Sequence, residues 1–459
     1  ATQRADTLSQ QAGELGGAGG AAPNIDGSFN VREVFGELIA PLVEDKPFVE
    51  SLSLEAGIRY STYDVQAPGN PSYDTTTYKV GGQWEPGFGL KIRGQYSRAA
   101  RAPNIGELFA PVNTGLTALN TDPCQGAAPL NNAELRAICL AQGAPAFTIG
   151  NIQAPTAGQA NATAGGNLNL KPEKADTYTA GIVFQPEFVP GLSLAIDWFD
   201  IKINGASSVP TPGDAITACF GANPTTPAAG SSTSAACTII GRDPNTGNLN
   251  GNPATTSGLF LARSNLGTLV SRGVDLTANY TRDLGFANLA FGFVGTYTKD
   301  TKFKASPTAI NRECVGYYSP NCGIAAGQIQ PKFQFSQRTT LGFGDVDVSL
   351  LWRYLDSMVQ EPDDIDNGSG PACGPGNTAG ACAGQNFQRI KAYHYFDLST
   401  RFGITENISL TFSVENLTDK EPPQVGSLVG TTAFNSGNTY PSTYDALGRK
   451  FAASARIRF

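Results

Sequence analysis

The stretches Ile408–Glu415 (ISLTFSVE) and Phe451–Phe459 (FAASARIRF) decide the fold class. In both, apolar residues alternate with polar ones at every second position. A period of two predicts β-strands with one apolar and one polar face. A soluble sandwich could also end in such strands, so the remainder of the chain has to decide which face meets water.

Composition narrows the class of protein. Charged residues make up only 15% of the 459 residues, against about a quarter in soluble proteins, and there are 53 glycines. The net charge of −7 argues against nucleic acid as a partner. No apolar stretch approaches the roughly 18 to 20 residues that a membrane helix needs. A transmembrane β-barrel fits this composition, since its signal in each strand is weak but repeated.

The alternation recurs along the whole chain. We count about 13 strands of about ten residues or more, long enough for a tilted strand to cross a bilayer. Short links join some strands: QPEFVPG, TRDLGFA, GFGD and GITEN. Long insertions join the others, at residues 102–170, 205–257, 301–330, 356–389 and 418–444. This asymmetry predicts an all-β, antiparallel barrel with short turns at one rim and long loops at the other.

Two regions differ in pattern. Residues 1–28 are rich in glycine and show no periodicity, which predicts a flexible N-terminal loop segment. Residues 29–459 carry the alternating strands and form the predicted barrel portion.

The eight cysteines fall into four close pairs in stretches rich in Gly, Pro, Asn and Ser: Cys124 and Cys139, Cys219 and Cys237, Cys314 and Cys322, Cys373 and Cys382. Eight cysteines allow 105 connectivities. We expect local pairing, because each pair closes a short loop between separate strands. Disulfides in the long loops imply an oxidising compartment. The alternative, metal ligands or free thiols, lacks a CxxC spacing that would support zinc.

Charges decide the orientation of the two faces. The polar sets include Arg59, Lys91, Arg93, Asp275, Asp347, Arg353, Asp397, Arg401 and Arg456. A sandwich core would have to pair each of these charges, whereas a wet lumen solvates them. We therefore expect the apolar set to face lipid. Aromatic residues near strand ends, expected as interfacial girdles, are Tyr60, Tyr96, Tyr280, Tyr297, Tyr354, Trp84, Trp198 and Trp352.

Seven segments, spread from Phe29 to Phe459, resemble the barrel part of TonB-dependent outer-membrane receptors. They are NVREVFGELIAPLV, YSRAARAPNIGELFAP, NLNLKPEKADTYTAGIVF, DWFDIKING, SNLGTLVSRGVDLTANY, FSVENLTDKEPP and YDALGRKFAASARIRF. The resemblance implies a barrel of about 22 strands whose lumen is filled by an N-terminal plug. It also implies a Gram-negative outer membrane and energy supplied through the periplasmic protein TonB.

The chain departs from that pattern, because we find no plug or energy-coupling box and about 13 strands are too few for the full barrel. We therefore expect a C-terminal portion of the barrel. Its partners would be a plug domain and the remaining strands, in the same gene product or a second chain, together with TonB, outer-membrane lipid and the barrel-assembly machinery. The alternative is a plugless passive porin or a structural or adhesive surface barrel.

Candidate site residues follow from the same resemblance. The segment YSRAARAPNIGELFAP contains Arg98, Arg101, Asn104 and Glu107 where a strand enters its loop. The resemblance implies that they lie near the plug and the ligand chamber. The alternative is a strand cap with ordinary ion pairs.

The terminal Phe459 resembles the signal read by the barrel-assembly machinery, although a strand at a closing seam would explain the same residues.

The predicted function is import of a bulky, scarce nutrient: a ferric siderophore, a cobalamin-like ligand or an oligosaccharide. The sequence predicts no enzyme and no cofactor. The single histidine, His394, cannot form a metal cluster, and we find no nucleophile-elbow context for a Ser-His-Asp triad.

Overall fold

A computed structural model describes residues 2–5, 24–119, 121–306, 309, 311–318, 322, 329–360, 389–425 and 439–458. The strands are β1 (Thr2–Ala5), β2 (Ile25–Lys46), β3 (Val49–Val65), β4 (Ser72–Gly87), β5 (Leu90–Arg101), β6 (Asn113–Ala118), β7 (Gln159–Ala164), β8 (Glu173–Phe184), β9 (Leu192–Ser208), β10 (Leu259–Phe260), β11 (Ser264–Asp283), β12 (Asn288–Lys304), β13 (Arg312–Glu313), β14 (Tyr317–Tyr318), β15 (Phe333–Phe343), β16 (Val346–Leu355), β17 (Met358–Gln360), β18 (Arg389–Ile390), β19 (Tyr393–Thr405), β20 (Ile408–Glu415) and β21 (Lys450–Ile457).

The helices are short and lie between strands. They are α1 (Ile105–Phe109), α2 (Ala128–Asn131), α3 (Ala133–Ala141), α4 (Pro212–Phe220) and α5 (Ala235–Thr238), with single 3₁₀ turns at Ala146–Thr148, Thr156–Gly158 and Ser231–Thr233. Within the described ranges, none of these helices has the length and apolar character required for a membrane span.

One antiparallel sheet organises the molecule. Fourteen strands follow one another in chain order, β1-β2-β3-β4-β5-β8-β9-β11-β12-β15-β16-β19-β20-β21, and β13 pairs with the end of β12. Apart from the four-residue β1, the thirteen strands of this path have eight or more residues each. The predicted count of about 13 antiparallel strands is therefore confirmed.

The start of the chain differs in detail from the predicted loop. β2 begins at Ile25, and Thr2–Ala5 pairs with its first residues, Thr2 lying opposite Ser28. Ladder hydrogen bonds use the backbone alone, so this pairing needs no side-chain alternation, which is why the sequence pattern did not indicate it. The domain boundary after residue 28 stays a prediction.

The two ends of the sheet carry very different connections. At one end, which we call the turn end, the links span residues 47–48, 88–89, 185–191, 284–287, 344–345 and 406–407. At the other, the loop end, they span residues 66–71, 102–172, 209–263, 305–332, 356–392 and 416–449. The turn-end link at Gly89 requires glycine, because φ is +72° and an added Cβ would lie 1.9 Å from the Gln185 carbonyl oxygen.

The register separates two faces of the sheet. Large side chains on the apolar face are about half exposed or more: the exposed fractions of Val34, Ile58, Val80, Ile182 and Ile196 are 67, 59, 52, 49 and 54%. The opposite, polar face carries ion pairs between strands: Glu33–Arg59, Glu37–Lys79, Glu85–Lys91, Asp197–Arg93, Glu173–Arg101, Asp347–Arg401, Asp397–Arg353 and Glu415–Lys450. The division of faces predicted from the alternation is thus present in the structure.

A glycine makes room for one of the polar-face pairs. Arg93 on β5 and Asp197 on β9 form two hydrogen bonds, of 2.9 and 2.7 Å, across the intervening strand β8. Gly181 of β8 lies between them, and a Cβ at Gly181 would be 2.0 Å from Asp197 Oδ1. The pair therefore braces three strands only because this position has no side chain.

Aromatic side chains mark both ends of the apolar face. Near the loop end, Tyr96 and Tyr178 stack at 4.7 Å, and Trp352 stacks on His394 at 5.7 Å. At the turn end, Trp84 Nε1 donates to the Phe48 carbonyl oxygen at 3.0 Å. This arrangement agrees with the predicted girdles.

Candidate functional site

Most of the predicted site residues meet where β5 ends at the loop end. Arg101 is the last residue of β5, and helix α1 begins four residues later. Asn104 caps α1: Asn104 Oδ1 accepts from the Glu107 backbone N–H at 2.8 Å, and Glu107 Oε2 accepts from the Asn104 N–H at 2.9 Å. This reciprocal capping box fixes the Glu107 carboxylate beside the strand end.

Glu107 is the centre of an ionic network. Arg101 donates to both of its oxygens, at 2.9 and 3.0 Å, and also to Glu173 at the start of β8. Arg263 Nη1 lies 3.4 Å from Glu107 Oε1 and 3.3 Å from the Ser207 hydroxyl. Two carboxylates therefore meet two guanidinium groups, and together they join the roots of the two longest described loops to three strands.

Two opposing effects set the pKa of Glu107. Burial alone raises it, but the hydrogen bonds from Arg101 and from the Asn104 backbone N–H outweigh burial and lower it below its usual value. Glu107 is thus ionised near neutral pH. The network is neutral overall, which is the arrangement expected of an anchor for the loops.

Arg98 lies apart from the other three predicted residues. It is on the apolar face, where Arg98 Nε and Nη2 donate to Asp176 at 2.8 and 3.1 Å. The Tyr96 hydroxyl donates to the same carboxylate at 2.8 Å, and the Arg98 guanidinium lies over the Tyr78 ring. Residues three apart on an unbroken strand point to opposite faces, so the spacing of Arg98 and Arg101 already excluded a shared site.

The largest feature at this end was not predicted from the sequence. Residues 121–164 and 209–261, which we call the loop cap, pack around a common hydrophobic core although they belong to different loops. Its buried residues are Cys124, Leu135, Ile138, Cys139, Ala144, Ile149, Ile152, Ala160, Ala162, Ile216, Cys219, Phe220, Cys237, Ile240, Leu249, Leu259 and Leu261. Strands β7 and β10 of this region form a small mixed sheet with β6.

Two of the predicted disulfides lie inside the loop cap. Cys124 pairs with Cys139 and Cys219 with Cys237, and all four residues are buried. The third predicted pair, Cys314–Cys322, is also present. The fourth, Cys373 with Cys382, lies outside the described residues, as does Phe459.

A fully buried ion pair joins the halves of the loop cap. Arg242 donates to both oxygens of Asp122, at 2.6 and 2.7 Å, and the two side chains are 0 and 1% exposed. Arg242 also donates to Gln142 Oε1 at 2.7 Å and to the Gly247 carbonyl oxygen at 3.1 Å. Asp122 and Arg242 are 120 residues apart, so no local pattern could have related them.

A second anchor holds the loops of the C-terminal half. Arg353 donates to Asp397 at 2.9 and 3.1 Å and to Asp445 at 2.9 Å, and its guanidinium lies over the Tyr395 ring. Above it is a buried cluster of Tyr318, Met358, Ile390, Tyr393, Tyr395, Val425, Tyr440 and Tyr444. Burial raises the pKa of Tyr440 to about 12.

Two cavities could hold a solute. A cavity of about 410 Å³ lies at the edge of the loop cap, where most lining side chains are apolar and Asp214 is charged. A larger one, about 610 Å³, lies against the middle of the sheet, where Glu55, Gln95, Arg93 and Asp275 are among the lining residues. Hydrogen-bonding groups of both kinds line this second cavity, so it suits polar solutes. The described residues contain no cluster of three or more His, Cys, Asp or Glu side chains placed to bind a metal ion.

Comparison with known proteins identifies a family. The family described as TonB dependent receptor-like, beta-barrel matches residues 3–417. No curated protein matches the chain.

Similar solved structures include the FrpB iron transporter from Neisseria meningitidis, with 13% identity and a TM-score of 0.50, covering 95% of this chain and 46% of that one. The siderophore receptor PirA from Acinetobacter baumannii has 14% identity and a TM-score of 0.49, with 95 and 56% covered. The ferric enterobactin receptor from Pseudomonas aeruginosa has 13% identity and a TM-score of 0.47, with 95 and 55% covered. The chain spans about half the length of these proteins.

The Glu107 network makes a prediction about acid stability. Glu107→Gln removes the charge that Arg101 and Arg263 contact, and we expect it to lower the free energy of unfolding by about 1–3 kcal/mol near pH 7. A carboxylate with a lowered pKa stabilises the fold above its usual pKa of 4.5, and that stabilisation is lost as the pH falls through the lower folded value. Urea titrations at pH 7 and at stepwise lower pH should therefore show the difference between wild type and variant narrowing in acid. Glu187→Gln, an exposed turn-end control, should change nothing; a difference that stays constant with pH would contradict this account.

The buried pair in the loop cap makes a second prediction. Asp122→Asn leaves the Arg242 guanidinium buried without a counter-charge, which costs about 3–5 kcal/mol, whereas Asp122→Leu with Arg242→Met removes both charges and costs less. Hydrogen exchange of the amides of α3, in the folded protein, measures the opening of the cap. Arg136→Met, on the exposed side of α3, is the matched control. Opening of the Asp122→Asn variant at the wild-type level would show that the ion pair does not hold the cap together.

Proposed function

Because the chain belongs to the family of TonB-dependent receptor β-barrels, we propose that it supplies barrel strands to an outer-membrane receptor that imports a bulky, scarce nutrient. Proteins of this family transport their ligands and are not enzymes. The ligand class that we propose is a ferric siderophore, a cobalamin-like compound or an oligosaccharide.

The observation that carries this proposal is the division of the large sheet into two faces. An exposed apolar face bordered by aromatic side chains is stable against lipid, and a face of paired charges is stable against water or packed protein. The eight ion pairs between strands neutralise one another's charges on the polar face without removing its hydrogen-bonding groups. These properties support a wet or plugged lumen inside an outer-membrane barrel.

Ligand capture belongs, in this proposal, to the loop end. The loop cap has its own core, two disulfides and a buried ion pair, so it presents a fixed surface instead of a mobile one. A rigid loop surface loses less entropy on binding, which favours capture of a ligand present at low concentration. The cavity of about 610 Å³ on the polar face would receive the ligand's polar groups.

Movement through the lumen requires partners beyond this chain. We propose a plug domain and further barrel strands, energy coupling through TonB, and insertion by the barrel-assembly machinery. The Arg101 network would face the plug and the ligand chamber, with Arg101, Asn104 and Glu107 holding the loop roots in place. Arg98, on the apolar face, would stabilise the barrel wall.

Growth on single nutrients tests the proposal. A strain that lacks the receptor is supplied with ferric chelates, cobalamin or oligosaccharides as the only source of iron, cofactor or carbon, with and without TonB. We expect uptake of one of these ligands to fall at least about tenfold when the receptor is removed. Removal of TonB should lower uptake of the same ligand to the same extent. The Gly36→Ala receptor, altered at an apolar-face glycine with open space around it, is the control and should restore uptake.

Two results would contradict the importer. Uptake that needs the receptor but not TonB would indicate a passive porin. Uptake of every compound at the wild-type rate without the receptor would indicate a structural or adhesive barrel.

A further inference from the structure

Positive charge is concentrated in one place on the apolar face. Six cations occupy the loop-end portions of five adjacent strands, and we call them the cationic band: Arg98, Lys174, Lys202, Arg272, Lys302 and Lys304. They belong to β5, β8, β9, β11 and β12. The chain as a whole has a net charge of −7, so this concentration is not a property of its average surface.

The register aligns the band into rows that cross the strands. Arg98 lies opposite Asp176, which lies opposite Lys202, and the same row continues through Val270 to Lys302. The next row towards the loops contains Lys174, opposite Ala100 and Asn204, and Lys304, opposite Thr268. With Arg272, which lies opposite Asp200 one row nearer the turn end, the cations occupy three successive rows near the loop end of the sheet.

Only half of these cations are neutralised by the chain. Arg98 pairs with Asp176, Arg272 with Asp200, and Lys302 with Asp300, at 2.8, 2.9 and 3.6 Å. Lys174, Lys202 and Lys304 form no salt bridge within the described ranges, although Lys202 lies opposite Asp176 on the neighbouring strand. The polar face at the same height differs, because Arg101 there is paired with two carboxylates.

Aromatic residues border the cationic band on the side of the turn end. The next row towards the turn end runs from Trp198 through Val274 to Tyr297. Tyr96 and Tyr178 stack beside this row. Tyrosine and tryptophan side chains concentrate at the depth of lipid headgroups. Lysine side chains just beyond that depth can extend along apolar surface and place their ammonium groups among the phosphates.

We propose that the cationic band binds the phosphate groups of lipids in the leaflet at the loop end, with Lys174, Lys202 and Lys304 as the contacts and the paired arginines as fixed support. This inference rests on the proposed function only in that the apolar face spans the outer membrane. A basic residue near an anionic membrane surface contributes about 1 kcal/mol, which is about fivefold in affinity for each lysine. The occupant is a phosphorylated lipid, because a free anion would gain nothing from the apolar and aromatic rows below the band.

Native mass spectrometry of the heat-modifiable receptor in neutral detergent tests the band. The probe is a glucosamine lipid with two phosphates, compared with its dephosphorylated form. We expect the wild type to retain the phosphorylated lipid, and the variant Lys174→Gln, Lys202→Gln, Lys304→Gln to bind it on the order of 100-fold more weakly. The matched control changes three exposed lysines away from the band, Lys46→Gln, Lys391→Gln and Lys420→Gln, and should bind as the wild type does.

Three results would overturn the inference: equal lipid binding by the band variant and the wild type, equal binding of the dephosphorylated lipid, or complete displacement of the lipid by inorganic phosphate. The last would indicate a simple anion site. Nutrient uptake is measured on the same variants, so that the two proposals fail separately. Normal lipid binding without TonB-dependent uptake contradicts the importer alone, whereas normal uptake with unchanged lipid binding in the band variant contradicts the band alone.

Discussion

Backbone hydrogen bonding is the constraint on which this structure depends, because peptide groups that enter hydrocarbon must be paired within the protein. The sheet meets this constraint because its fourteen strands follow one another in chain order, and each strand is hydrogen-bonded to the strands before and after it in that order. Once the backbone is paired in this way, the side chains are free to divide between two faces. The apolar face and the polar face, and therefore the whole functional interpretation, follow from that division.

Networks centred on arginine then attach the loops to the wall. Arg101 joins the roots of the first long loops through Glu107 and Glu173, and Arg353 joins those of the C-terminal half through Asp397 and Asp445. Guanidinium suits this task because its planar donors can hold two carboxylates in fixed directions. The loop cap is thus fixed relative to the strands at its roots, and its own core and disulfides provide the remaining order.

The strands, the contrast between turns and loops, and the local disulfides could be predicted because each is recorded in short stretches of sequence. Alternation reveals Ile408–Glu415 as readily as any strand, and Cys314 and Cys322 are eight residues apart. The loop cap could not be predicted, because contacts such as that of Asp122 with Arg242 join distant loops. Such contacts produce no repeating pattern in the sequence. Arg98 is an intermediate case, because counting residues along β5 would have placed it on the face opposite to Arg101.

The central claim is that one face of the sheet meets lipid and the other meets an aqueous or protein-filled lumen. Ile58 and Arg59 are neighbours on β3 that point to opposite faces. Single cysteines at these positions, Ile58→Cys and Arg59→Cys, can be labelled in intact outer membranes with a lipid-soluble and a membrane-impermeant thiol reagent. The account predicts that the first cysteine reacts only with the lipid-soluble reagent and that the second reacts with the impermeant one. Equal reaction of both cysteines with the impermeant reagent would contradict a membrane-spanning sheet.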